Sequence, residues 1–63
     1  MLRIIIAERG SREIGRFPVD IHPSFAPQRP LYEQDFYEAV EWLLLNSGFT
    51  AATLGEMSYR PAD

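Results

Sequence analysis

Leu2 to Glu8 is rich in β-branched residues and predicts a strand. Arg9-Gly10-Ser11-Arg12 interrupts the apolar pattern, and Gly10 is able to take the positive φ that a tight hairpin turn requires. Beyond it, Phe17, Val19 and Ile21 alternate with Arg16, Pro18 and Asp20, so a second strand has one apolar and one polar side. Ile14 is out of phase with that alternation. A bulge at Gly15-Arg16 returns it to the core side, and glycine suits such a position. Pro18 has no N–H to give a ladder, which places this strand at a sheet edge, or pairs it only on the side away from Pro18. Residues 2–21 are therefore expected to form a twisted β-hairpin.

Residues 22–29 follow no periodic pattern. Pro23, Pro27 and the following Pro30 restrict the chain to an extended or turning path, with Phe25 available to pin it down. This segment reads as a crossover from the sheet edge to a helix.

The apolar spacing then lengthens to three and four. Tyr32, Phe36, Ala39, Val40, Leu43 and Leu44 form one stripe, which predicts a helix over residues 30–47. Pro30 suits the first helical position, and Glu33 and Asp35 complement the helix dipole in the first turns. Gly48 reads as a left-handed cap, with Phe49 reaching back to Leu44 in a Schellman arrangement. Residues 49–59 carry two patterns at once. Thr53 and Glu56 have the spacing of a capping box, whereas Thr53, Gly55, Met57 and Tyr59 alternate like a strand. A lone hairpin is marginal in water and needs further cover, which favours the strand over the turn. The expectation is a single α+β domain of ββαβ order, one small antiparallel sheet with one helix across it.

Length and composition narrow this picture. A chain of 63 residues makes one domain. It buries only about 60% of the surface its unfolded form exposes. Its core then supplies roughly 3–5 kcal/mol of net stability. The absence of cysteine excludes a disulfide framework and a thiolate metal site, and it points to a reducing interior such as the cytoplasm. Ile4-Ile5-Ile6-Ala7 is too short for a signal-peptide core or a membrane span, and Met1 reads as a native start. A domain this small and unstapled is expected to gain stability from another protein or from a second copy, as a homodimer.

Charge is segregated along the chain. Residues 1–29 carry five arginines against Glu8, Glu13 and Asp20, a balance of +2, while residues 30–63 carry Arg60 against six acids, a balance of −5. Every cation is an arginine. That residue favours paired and stacked contacts, although a GC-rich genome leaves the same bias.

On a helical wheel Trp42 and Leu45 leave the apolar stripe and lie opposite it, with Gln34, Glu38 and Glu41. A tryptophan and a leucine ringed by glutamates resemble the anchor and rim of an interface. The alternative is that residues 49–59 fold back over them as a second core layer. Read as an interface, Glu38, Glu41, Trp42 and Leu45 make a partner-binding face for another protein. Its acidity suits an inhibitor that competes for a basic, nucleic-acid-binding groove.

Arg3, Arg9, Arg12 and Arg16 around the hairpin support a different class of function. A homodimer could present this arginine-bearing ribbon to a nucleic acid. The net charge of −3 and the nearness of Glu8 and Glu13 weigh against it. A third reading is a structural subunit whose sheet edge a neighbour extends.

Asp20 and His22 point the same way in an extended segment, but two ligands fall short of a structural metal site. No triad, phosphate loop or cofactor signature is present, so neither catalysis nor a cofactor is expected. Pro27-Gln28-Arg29-Pro30 matches a PxxP ligand, but a helix is expected to begin at its last residue.

Overall fold

The computed structural model describes residues 2–22, 24 and 29–62. Three strands, β1 (Leu2–Arg9), β2 (Arg12–Asp20) and β3 (Met57–Pro61), form one antiparallel sheet in the order β2-β1-β3. Between β2 and β3 the chain makes the helix α1 (Glu33–Asn46) and a single helical turn, α2 (Ala51–Leu54). The ββαβ order matches the expectation from the pattern. Of the crossover, Pro23, Phe25 and Pro27 lie outside the described residues, as does half of the PxxP segment, Pro27 and Gln28.

The hairpin closes through Gly10 and Ser11. Gly10 has φ 63° and no non-glycine residue described has positive φ, so only the first central position is left-handed, as in a type II′ turn. From this turn the register runs Arg9 opposite Arg12 and Glu8 opposite Glu13, then slips so that Ala7 faces Gly15. A bulge is present, but not at Gly15-Arg16 as expected: those two pair in regular register with Ala7 and Ile6, and Ile14 is the unopposed residue. It stays half-buried outside the core cluster rather than joining it. Gly15 is explained by a close approach. A Cβ there would lie 3.0 Å from Cζ of Phe17, whose ring lies over the glycine.

Ile5, Ala7 and Val19 from the sheet bury against Phe36, Val40 and Leu44 of α1. Those helical residues follow a strict i, i+4, i+8 spacing, one narrow row of the predicted stripe. Three stripe members fall outside it, of which Ala39 is half-buried against the core. Tyr32 lies just before α1 and is 61% exposed, and Leu43 sits at the margin of the buried row and is 48% exposed. The other face of the sheet carries no helix. Leu2 and Ile4 are exposed there, while Ile6 is buried between its register partners Arg16 and Arg60, whose aliphatic stems flank it.

Both ends of α1 depart in detail from the expected 30–47. The helix begins at Glu33, not Pro30, because the Asp35 carboxylate turns back to accept the Tyr32 N–H at 2.7 Å and fixes Tyr32 as the N-cap. At the other end the Schellman motif is complete. Gly48, at φ 102°, donates to the Leu45 carbonyl at 3.3 Å, and Phe49 donates to the Leu44 carbonyl at 3.1 Å. The last segment resolves into both patterns in succession. Thr50, rather than Thr53, caps α2 by accepting the Thr53 N–H at 3.2 Å, and the third strand starts only at Met57. Met57 and Tyr59 then pack against the core, with the Tyr59 ring stacked 5.8 Å from that of Tyr37.

Each outer strand carries a proline toward the end of its ladder, Pro18 two residues before the end of β2 and Pro61 as the last residue of β3. Ala62 donates to the Ile4 carbonyl at 2.9 Å, so Ile4 directs its backbone groups toward β3. Pro18, opposite Ile4, therefore faces outward from β2, and by the same alternation Pro61, opposite Ile5, faces outward from β3. Each missing donor falls on solvent instead of on the ladder, the position in which proline is tolerated in a sheet.

Candidate partner-binding face

The row Phe36, Val40 and Leu44 fixes the rotation of α1 on the sheet. Side chains half a turn away are forced outward, and Trp42 and Leu45 occupy that position. Trp42 is 67% exposed and Leu45 41%. Neither α2 nor β3 covers them, so the second core layer that would have hidden them does not form. Glu38, one turn before Trp42, is exposed, and Glu41, one turn before Leu45, is half-buried. Leu43 is also exposed, but at the margin of the buried row, away from Leu45. The four residues singled out by the wheel thus share one face, whereas Leu43, which periodicity assigned to the core, is exposed outside that face. Its place on the margin of the stripe was the available signal.

The electrostatics of this face differ from those of the sheet. Glu8 pairs with Arg60, Glu56 with Arg9, and Glu13 with Arg16 at 3.2 Å. Asp35 holds both arms of the Arg29 fork, at 2.6 and 2.9 Å. This Arg29 hydrogen bonding, followed by the Tyr32 N–H, lowers the Asp35 carboxyl from its ordinary 3.8 to about 2. The same pairing raises Arg29, whose guanidinium also lies 5.3 Å from the Tyr32 ring centre. Glu38 and Glu41, in contrast, form no ion pair among the described residues. Burial raises the Tyr59 hydroxyl, and the field of Glu41 adds to the effect.

The four hairpin arginines do not converge. Arg3 lies on the helix-covered side, with its guanidinium 5.5 Å from the Phe36 ring centre. Arg9 is engaged by Glu56, and Arg16 lies on the opposite, open side with Glu13. Only Arg12, at the hairpin tip, has no such partner among the described residues. The neutralisation expected from Glu8 across the hairpin runs instead to Arg60 on β3. His22 accepts the Ser24 N–H at Nδ1, 3.1 Å away. No three His, Cys, Asp or Glu side chains converge, and no pocket opens, among the described residues.

No family model matches the chain, and no curated protein or solved structure is significantly similar to it.

Proposed function

We propose that this chain is a small, non-catalytic regulatory or adaptor protein that acts by protein–protein binding through the outer face of α1. The observation that carries the reading is Trp42, two-thirds exposed on the helix with Leu45 one turn on. A tryptophan left in water gives up a large hydrophobic stabilisation that a partner's pocket can recover, and such anchors dominate interface energetics. Glu38 and Glu41 make the rim that orients the partner and speeds encounter. An inhibitor of a nucleic-acid-handling machine is one form of this activity. A cysteine-free composition suits a reducing compartment such as the cytoplasm, and no described helix is long and apolar enough to cross a membrane.

The test is affinity capture with the immobilised chain in three forms: wild type, Trp42→Glu, and Leu2→Glu on the open sheet face. A protein retained by wild type and Leu2→Glu but lost from folded Trp42→Glu supports the helix face. Partners indifferent to Trp42→Glu overturn it.

A further inference from the structure

We propose that the occupant of the α1 outer face is a different protein with a cationic surface around an apolar pocket, not a second copy of this chain. The inference rests on the helix-face reading above and adds the chemistry of the partner. It is carried by how the molecule distributes its ion pairs. Glu8, Glu13, Asp35 and Glu56 each have an arginine of their own, so their charge is largely spent within the chain. From Glu33 to Asn46 the helix contains no Lys, Arg or His. Among the described residues, Glu38 and Glu41 form no ion pair beside the exposed Trp42 and Leu45. Arg29 feels Glu38 only through its field, because its guanidinium is held by Asp35.

An apolar anchor inside uncompensated negative charge selects its partner twice. The indole needs a pocket that removes it from water. The carboxylates make desolvation unfavourable unless arginine or lysine meets them. A two-fold pairing of this face with itself would bring Glu38 and Glu41 of one copy toward the same residues of the other. Like charges would then oppose the burial of Trp42. Nucleic acids and anionic membranes are repelled for the same reason.

The test uses the full chain and two fluorescently labelled probe peptides, one alternating arginine with leucine and one alternating glutamate with leucine. Anisotropy reports binding, and emission from Trp42, the sole tryptophan, reports burial of the indole. The cationic probe is expected to bind with a blue shift of Trp42. Binding should weaken about tenfold in Glu38→Gln/Glu41→Gln. It should weaken further in Trp42→Ala and fall away in about 0.5 M NaCl. Sedimentation of the wild type at rising concentration should show no dimer that Trp42→Glu abolishes. Absence of cationic binding, equal binding of the acidic probe, or a Trp42-dependent dimer overturns the proposal. The last two outcomes leave the helix face as a docking surface with a different occupant. Cationic binding untouched by Trp42→Ala removes the docking surface itself.

Discussion

Both faces of α1 carry large apolar side chains and use them in opposite ways. Phe36, Val40 and Leu44 are buried against Ile5, Ala7 and Val19, whereas Trp42 and Leu45 stand in solvent. Hydrophobic content alone does not decide which residues stabilise the fold. Rotation about the helix axis does, and one row at four-residue spacing sets it. The inner face lowers the free energy of this chain alone. The outer face leaves its apolar side chains in solvent.

The sharpest way to break this contrast is to truncate one residue from each face. Phe36→Ala should destabilise the domain by about 3–5 kcal/mol. That is as large as the net stability expected of a core this size, so urea titration followed by circular dichroism should find the variant largely unfolded. A wild-type midpoint would mean that the inner face is not the core.

A smaller effect tests the joint that holds the start of α1. Asp35 is ionised in the folded state down to about pH 2, against an ordinary 3.8. Its stabilisation is therefore complete above about pH 4 and disappears as the pH falls through 2. Asp35→Asn should be less stable at neutral pH and should lose stability less steeply than wild type across that acid window. Parallel slopes in the two proteins would show that the Arg29 fork contributes nothing to folding.

Trp42→Ala should have the smallest effect, within about 0.5 kcal/mol of wild type, because the side chain leaves no cavity behind. A loss of several kcal/mol would place the indole in the core and erase the distinction between the faces.

Much of this arrangement can be read in the residues, because local chemistry dictates it. Gly10 and Gly48 sit where only a positive φ closes the turn or caps the helix, and both positions emerged from the pattern. The outward position of Trp42 and Leu45 follows from periodicity. What was not legible depended on partners distant in sequence or on competing local signals. Pro30 looked like a helix start, but the Asp35 carboxylate caps Tyr32 and delays the helix to Glu33. Thr53 had the spacing of a cap, and Thr50 took the role. Leu43 fits the apolar stripe, yet a helix lying on one small sheet buries a row narrower than its stripe. The arginines formed one group in sequence and are scattered in space, because Arg3 turns under the helix while Glu56, distant along the chain, engages Arg9.

The prolines at the two margins of the sheet have a consequence for how such a protein changes over evolutionary time. With Pro18 and Pro61 each withholding a donor outward, strand addition loses part of its main-chain register on either side, and recognition is shifted to side chains. Main-chain pairing is nearly blind to sequence, whereas a side-chain surface can be rewritten one residue at a time. If the outer face of α1 is the proposed docking surface, its residues can change without disturbing the buried row. Under that proposal, partner choice could change while the scaffold stayed the same.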